Sequence, residues 1–440
     1  MTGTTRFRTL ALVAGAMVFA WACGATGGGG GGGAATKGEI DIGVDLPMSG
    51  AEASNGVPTL NGVKFAVQQH GTVDGFKIGI VSLDDAVNGQ HNPQKGAQNV
   101  QQFLSNSKVL AMVGPFNSNV GQAEIPVANR GNLAMISPAN TNPCLTKEVE
   151  AFGGCDKYAG FTPQSLRPSG QNNYFRVAGT DDHQGPANAD YAYNTLHLTK
   201  VAVLDDAEVY GQGIAKTFAA QFQKLGGQVV LGPQDYDPNS TNDFRSFLSR
   251  ARDAGAQAVY VGGTDSNKAC VVRAQMKGIF PADAPFFGGD GIVTGQCLND
   301  AADNATNMYG TVAAINADTL PAAKSVIDAF HKAFPGTNDY GAYTMPAYAC
   351  TQIILAALDK AIKANGGNMP SRAQVLKQIA QTSNVSTVLG PVSFDKNGDN
   401  SQQVIAEYQS TSVEPSKTYI TENAAKTVGW TFVQQKNYSE

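Results

Sequence analysis

The chain has 440 residues, which is long enough for two domains of ordinary size, each with a hydrophobic core. Its 31 basic and 36 acidic residues are interspersed and give a formal net charge of −5. Because this pattern forms neither a basic stripe nor a polybasic run, it argues against nucleic acid and a charged lipid surface as partners.

The first 22 residues have the pattern of an export signal. Arg6 and Arg8 precede an apolar run of 13 residues at 10–22, which is shorter than the ~20 residues that span a bilayer. Cys23 follows and resembles the cleavage site of a bacterial lipoprotein. The pattern predicts a signal peptide at 1–22, lipidation of Cys23, and a glycine-rich flexible tether at 23–37. Cleavage that leaves an unmodified cysteine is the alternative. The predicted location is the outer face of a cytoplasmic membrane.

Beyond this segment, short apolar runs alternate with helical patterns, which is typical of an α/β fold. The first series of predicted strands is 40–44, 77–81, 109–113 and 133–136. Helical spacing at 59–69 and 121–129 separates some of them. Since strand–helix–strand units cross over right-handedly, this series predicts one doubly wound lobe.

A polar segment at 140–173, interpreted as a long surface loop, separates this series from a second one. The second series consists of strands at 201–204, 228–231, 257–261 and 285–287, and helices near 211–225, 242–253 and 267–277. Helical segments and strand-like stretches follow at 321–333, 344–364, 372–381, 392–394 and 403–406. The predicted architecture is two Rossmann-like doubly wound lobes.

Five cysteines lie beyond the N-terminal segment, and an oxidising compartment favours disulfides. Cys144 and Cys155 would close a short loop, and Cys270 and Cys297 would form a second pair, among the pairings that five cysteines allow. Cys350 is left over in an apolar helical stretch, so a buried free thiol is favoured over a reactive one.

Polar, glycine-rich turns follow predicted strands in both series, and ligands of open parallel sheets bind beyond the carboxyl ends of the strands. These turns are 114–119, 137–143, 210–213, 262–264 and 288–291. The first two turns offer hydroxyls and backbone N–H groups that suit a carboxylate. Asp290 would suit an ammonium. Each turn taken alone could also serve only capping and turn formation.

Four stretches carry a family resemblance: 42–50, 136–141, 182–186 and 205–213. They resemble the branched-chain-amino-acid-type periplasmic binding proteins, the type I receptors that feed ABC importers, and the resemblance covers about 39–408. It implies a type I periplasmic binding protein fold with a three-strand hinge. Lobe 1 would comprise 38–180 and 313–389, and lobe 2 would comprise 181–312 and 390–440.

The resemblance also implies ligand-binding residues. In the family, residues matching Ser118, the backbone of Ala139, and Thr141 hold the ligand carboxylate. Residues matching Tyr210 and Asp290 close from the other lobe, and Asp290 would pair with the α-ammonium. The ligand would bind lobe 1 first, and lobe 2 would then swing shut.

This chain departs from the family pattern around the pocket. Asp290 replaces the usual glutamate, Asn55 stands where an aromatic residue is common, and Thr264 replaces a common tyrosine. We therefore expect a more polar pocket, suited to a small or polar amino acid or an amide-like relative as readily as to leucine, isoleucine or valine. Tyr343 either forms an apolar wall of the pocket or packs in the core.

Signatures of catalysis are absent from the sequence. It has no Gly-x-Ser-x-Gly elbow and no phosphate loop, and its histidines lack metal-ligand spacing. Residues 395–399 are too few for a calcium loop and predict a hairpin turn. These absences predict a non-enzyme without cofactor or metal. We expect a monomer, and the resemblance implies that its partners are a small-molecule ligand and the membrane subunits of an ABC permease. The alternatives are a sensory receptor of the same fold and, less favoured, an extracellular enzyme.

Overall fold

The computed structural model describes residues 36–150, 153–336, 338–414 and 419–439. The predicted signal peptide, the lipidation site Cys23 and nearly all of the tether lie outside the described residues. Each helix within the described ranges is too short or too polar to cross a bilayer.

The first half of the chain builds one sheet. Its strands are β1 (Gly38–Leu46), β2 (Thr72–Val73), β3 (Phe76–Asp84), β4 (Ala86–Val87), β5 (Gln90–His91), β6 (Val109–Val113), β7 (Ala134–Ser137) and β8 (Tyr174–Arg176). Six of them form the order β2-β3-β1-β6-β7-β8, while β4 and β5 pair separately. All neighbours are parallel except β2 and β3. Ile40, Ile42 and Val44 of β1 are fully buried, as expected for a parallel strand covered on both faces.

The second half builds another sheet. Its strands are β9 (Lys200–Asp205), β10 (Gln228–Asp235), β11 (Ala258–Gly262), β12 (Phe286–Gly288), β13 (Met308–Val312), β14 (Val385–Thr387), β15 (Gly390–Val392), β16 (Val404–Ser412) and β17 (Val428–Asn437). Seven form the order β10-β9-β11-β12-β13-β16-β17, parallel up to β13 and antiparallel beyond it. β14 and β15 pair separately, so the predicted strand at 392–394 is not part of either large sheet.

Helices pack on these sheets. They are α1 (Ala53–Gln69), α2 (Pro93–Ser105), α3 (Ser118–Arg130), α4 (Cys155–Ala159), α5 (Asp181–Asp190), α6 (Val209–Lys224), α7 (Arg245–Asp253), α8 (Ala269–Gln275), α9 (Gly295–Asp300), α10 (Lys324–Ala333), α11 (Thr344–Ala364) and α12 (Arg372–Ala380). Ile354, Leu358 and Ile362 recur every four residues on α11 and are fully buried. Because α11 and α12 contact β6 and β7, the chain returns to the first sheet after building most of the second.

Three segments that cross between the sheets lie side by side. The backbone N–H of Gly179 donates to the carbonyl of Ala313 at 2.7 Å, and the N–H of Thr180 donates to Gln403 Oε1 at 3.0 Å. These contacts agree with the three-strand hinge predicted from the resemblance.

The segment 140–173 differs from the predicted surface loop, because much of it is buried. Leu145, Tyr158 and Phe161 pack into the same apolar cluster as Phe103 and Met135. Large apolar side chains spaced irregularly along this stretch produce the burial, although its Pro, Gly and polar content suggested exposure.

Both predicted disulfides are present, Cys144–Cys155 and Cys270–Cys297. Cys350 is a free, buried cysteine. Burial raises the pKa of its thiol well above the ordinary value, so the thiolate that would make it reactive is disfavoured.

Arg176 of β8 holds the chain that follows β7. Its Nε donates to Asp399 Oδ1 at 2.6 Å, and its Nη1 donates to the carbonyls of Asn140 and Asn142 at 3.1 and 2.8 Å. Its Nη2 donates to Thr146 Oγ1. Since Arg176 is fully buried, these bonds fix the backbone on either side of Thr141.

Removal of the buried charge opposite Arg176 should be costly. We expect Asp399→Asn to lower the free energy of unfolding by about 3–5 kcal/mol, because it leaves a buried guanidinium without a counter-ion. Urea unfolding at neutral pH measures this loss. The matched control is Asp243→Asn in the exposed pair with Arg245, which should leave the stability almost unchanged. Equal losses in both variants would contradict this account of Arg176.

Candidate ligand-binding site

A narrow cavity lies where the carboxyl ends of strands from the two sheets face each other. Its lining residues are Phe116, Asn117, Ser118, Asn119, Ala139, Thr141, Glu208, Tyr210, Thr264, Asp290 and Gly291. The turns after β6, β7, β9, β11 and β12 supply these residues, so the strand-end rule located this cavity.

Six of the seven residues expected at the ligand line this one cavity: Ser118, Ala139, Thr141, Tyr210, Thr264 and Asp290. Asn55 is not among its lining residues. It lies in the first turn of α1, where its Nδ2 is 3.5 Å from Asp265 Oδ1, so it contacts the opposite lobe outside the cavity.

The lobe 1 wall is built on the N-terminus of α3. Gly114 has a φ of +123°, and a Cβ there would lie 2.3 Å from the carbonyl oxygen of Asp45, so only glycine fits this turn. Ser118 is the first residue of α3. Its hydroxyl and the positive end of the helix therefore both face the cavity and suit an anionic group.

Ser137 orders the neighbouring turn. Its hydroxyl donates to the carbonyl of Pro115 at 2.7 Å and accepts from the N–H groups of Ala139 and Asn140 at 3.2 and 2.8 Å. The N–H of Ala139 is thus already engaged. The donors expected on this wall are the hydroxyls of Ser118 and Thr141, of which Thr141 also hydrogen-bonds the Asp181 side chain.

Asp290 is the charged group on the lobe 2 wall. Its Oδ1 accepts from Gln184 Nε2 and from the hydroxyl of Tyr210, both at 2.8 Å. Its Oδ2 accepts from the hydroxyl of Tyr343 at 2.7 Å. Burial raises the pKa of Asp290 above its ordinary value, although the three donors oppose that rise. Tyr343 therefore binds Asp290 through its hydroxyl, while its ring packs edge-on against Phe116.

A second buried carboxyl, Asp181, lies behind Asp290. Its Oδ1 accepts from the same Gln184 Nε2 at 2.9 Å. Burial and then the charge of Asp290 raise the pKa of Asp181 well above its ordinary value. The two carboxyls thus share one amide donor, and each disfavours a negative charge on the other.

Gly211 allows Tyr210 to reach Asp290. A Cβ at Gly211 would lie 2.0 Å from Asp206 Oδ1 and 2.7 Å from the carbonyl oxygen of Gly262. Only glycine lets the first turn of α6 approach the end of β11 this closely. That approach places the Tyr210 hydroxyl on the Asp290 carboxylate.

A buried histidine links the two lobes beside the cavity. His91 Nδ1 lies 2.6 Å from Glu52 Oε2, and His91 Nε2 lies 2.7 Å from Glu208 Oε2. Glu52 also accepts from Asn117 Nδ2 at 2.6 Å and from the hydroxyl of Ser266 at 3.0 Å. Glu52 and His91 belong to lobe 1, and Glu208 and Ser266 belong to lobe 2.

The charge state of this link follows from its surroundings. Burial would lower the pKa of His91, but the charges of Glu52 and Glu208 outweigh burial and raise it well above the ordinary value. Burial would raise the pKa of Glu52, but the His91 charge and the hydrogen bonds to Glu52 lower it overall. An imidazolium between two carboxylates thus joins the lobes.

Sequence reasoning missed Asp181, Gln184's bond to Asp290, and the His91 link. Residues 182–186 signalled only a family likeness, and Glu52, His91 and Glu208 lie far apart along the chain without a shared motif. Their association depends on the tertiary fold, which periodicity does not encode.

Comparison with known proteins gives consistent matches. The model of a family described as periplasmic binding protein matches residues 39–417. An "Amino acid binding protein" of Pseudomonas aeruginosa is 30% identical over 369 residues, covering 82% of this chain and 87% of the relative. "Leu/Ile/Val-binding protein homolog 1" of Brucella suis is 28% identical over 370 residues, with the same two coverages. A solved leucine binding protein of Thermotoga maritima has the same fold, with a TM-score of 0.72 at 23% identity, over 91% of this chain and 99% of that one.

The His91 link should make stability depend on pH. A raised folded-state pKa stabilises fully below the unfolded value of about 6.5, and this contribution is lost as the pH rises through the folded-state value. We expect His91→Gln to lower the free energy of unfolding by about 3 kcal/mol at pH 6. The difference in the free energy of unfolding between His91→Gln and the wild type should become smaller above neutral pH.

Urea unfolding from pH 5 to 10 measures this gap. The control is His70→Gln, which alters an exposed histidine and should show no such trend. A gap for His91→Gln that stays constant over the whole range would contradict the charged link.

Proposed function

The chain belongs to the branched-chain-amino-acid-type family of periplasmic binding proteins and has their two-lobed fold, and we propose that it is the solute-binding component of an ABC importer. In this proposal, it captures an amino acid or a related small polar carboxylate between its lobes. The observation that carries the proposal is the buried Asp290 carboxylate, which faces the Ser118 hydroxyl and the N-terminus of α3 across one cavity.

The two walls suit the two charged ends of an amino acid. Asp290 accepts three hydrogen bonds, and two carboxylate oxygens offer about four acceptor sites. One site thus remains for an ammonium. Ser118, Thr141 and the helix N-terminus supply donors and positive potential for a carboxylate on the other side. The relatives named for amino acids and for Leu/Ile/Val support this ligand class.

The rest of the lining favours a small and polar ligand. The space inside the cavity that is open to a water-sized sphere is about 20 Å³, which is room for about one water molecule, so the lobes would have to part to admit an amino acid. Asn117, Asn119 and Thr264 contribute polar groups, whereas Phe116 contributes an apolar face. We propose a small or polar amino acid, or its amide, as the preferred ligand, with short aliphatic amino acids as competitors.

Specificity would arise from desolvation. An analogue that lacks the ammonium would leave a charged carboxylate buried without its partner, and such a loss weakens binding strongly. The lobe bounds proposed are 38–180 with 313–389, and 181–312 with 390–440. Closure of lobe 2 onto lobe 1 would bury the ligand and shift the population towards the form that permease subunits bind.

The cellular setting is part of the proposal. We propose that the chain is exported, that Cys23 carries a lipid anchor on the outer face of the cytoplasmic membrane, and that a monomer delivers its ligand to the permease without chemical change. The family and the named relatives, which are binding proteins, support this assignment over an enzyme.

A ligand screen tests the proposed class. The protein is unfolded and refolded to remove bound ligand, and thermal shifts are then measured with the common amino acids, their amides, and small carboxylates. A ligand at 100 times its Kd adds about 2.7 kcal/mol of stability, so a true ligand gives a clear increase in Tm. Increases confined to compounds without an amine would overturn the amino-acid assignment and leave only the fold.

The role of Asp290 has its own test. With a ligand from the screen, Asp290→Asn should weaken binding by about 2–4 kcal/mol, because the ammonium loses its buried counter-charge. Isothermal titration calorimetry measures the Kd. The matched control is Asp205→Asn, a buried lobe 2 carboxyl outside the cavity lining, which should bind like the wild type. Unchanged affinity in Asp290→Asn would remove this residue from the site.

A further inference from the structure

Three acidic side chains meet in the interior of lobe 1, away from the cavity lining. Asp45 lies near the end of β1, Asp85 directly follows β3, and Glu124 lies in α3. All three are fully buried. One carboxylate oxygen from each lies within 4.8 Å of the other two, although the residues are about 40 positions apart along the chain and form no sequence motif.

These carboxylates have almost no partners in the protein. Five of their six oxygens accept no hydrogen bond: Asp45 Oδ2, both oxygens of Asp85 and both oxygens of Glu124. Within the described parts of the chain, no ion pair involves any of the three acids. Lys95 is the cation whose charge acts on Asp45. Buried carboxylates without partners are costly, and three like charges at this distance repel.

A buried amide points into the same cluster. Asn99 is fully buried, and its Nδ2 donates to Asp45 Oδ1 at 2.7 Å and to the carbonyl of Asp84 at 2.9 Å. Its Oδ1 has no hydrogen-bond partner. A half-turn of this amide would present its oxygen to Asp45 and give up both of these bonds, so it would be favourable only with a cation between the oxygens.

We propose that Asp45, Asp85 and Glu124 bind a calcium ion in lobe 1, separate from the ligand cavity. Ca²⁺ takes six to eight oxygen ligands at 2.3–2.6 Å in flexible geometry, so ligand oxygens lie up to about 5 Å apart. The 4.8 Å limit of this cluster fits that sphere. The cluster offers only oxygen ligands, which argues against zinc and other metals that prefer nitrogen or sulfur.

Neutralisation by protons is the competing account. Burial raises the pKa of Asp45 to about 6. Burial and then the charge of Asp45 raise the pKa values of Asp85 and Glu124 well above the ordinary range. Without a cation, a proton shared between Asp45 and Glu124 would relieve part of the repulsion, because a side-chain hydrogen bond then joins these two acids. A cation and shared protons give opposite results in a titration with calcium.

The ion would stabilise the lobe 1 wall of the ligand site on the side away from the cavity. It would join the end of β1, the end of β3 and the helix α3, whose first residue Ser118 lines the cavity. Bound calcium would therefore stiffen the wall that is proposed to hold the ligand carboxylate. This inference adds a structural metal site to the proposed function and does not depend on the identity of the ligand.

The test uses the purified protein after treatment with EDTA and removal of the chelator. Calcium chloride should raise its Tm by roughly 5 °C at saturation, and calorimetry should give about one ion bound per chain. Magnesium chloride should have a weaker effect, because Mg²⁺ requires near-ideal octahedral geometry. No shift and no binding heat with calcium would overturn the proposal and favour shared protons.

Two variants locate the site. Glu124→Gln and Asp85→Asn should each abolish the calcium response, while their metal-free Tm equals or exceeds that of the metal-free wild type, because a repelling charge is removed. The matched control is Asp395→Asn, in the acidic turn whose Asp395 Oδ1 already accepts from the N–H groups of Asn397 and Asp399. It should keep the full response. A response that persists in both cluster variants but disappears in Asp395→Asn would place the ion in that turn and overturn the proposal.

Discussion

A carboxylate buried between two lobes is stable only if hydrogen-bond donors surround it, and three segments that are distant in the sequence supply the donors to Asp290. Gln184 comes from α5, Tyr210 from the first turn of α6, and Tyr343 from the residue before α11. Because α11 packs on the first sheet, the Tyr343 bond to Asp290 exists only when the lobes are together. The carboxylate that would bind a ligand amine thus also forms a hydrogen bond that exists only in the closed arrangement of the lobes.

The contact between the lobes beside this charge is polar. His91 bridges Glu52 and Glu208, and Asp265 accepts from the hydroxyl of Ser54 in the other lobe at 3.3 Å. Burial raises the pKa of Asp265 to about 7. Such groups regain hydrogen bonds with water when the lobes separate, so opening costs less than the exposure of an apolar surface of equal area. A polar interface therefore suits the repeated opening and closing proposed for the lobes.

Sequence reasoning succeeded where a physical rule is local. Continuous apolar runs predicted the parallel strands, and the strand-end rule brought six residues to one cavity. It failed where tertiary context decides. The strands β8, β13 and β17 were not predicted. β8 and β13 are short, β17 is partly exposed along its length, and none of the three contains a long apolar run. The burial of 140–173 depends on scattered aromatic residues. Asn55 was assigned by family position, but the direction of its side chain depends on where α1 begins.

The hydrogen bonds of Arg176 have a mechanical consequence. Arg176 ties the turn that bears Thr141 to Asp399, and Asp399 precedes the crossing segment that leads into β16. The carboxylate-facing turn and the start of this crossing segment therefore move as one rigid piece. In the proposed closure, rotation of the lobes would then be absorbed within a few residues beyond these bonds, near Gly179, Ala313 and Gln403. A pivot this short would bring the two walls of the cavity together in a similar alignment at each closing.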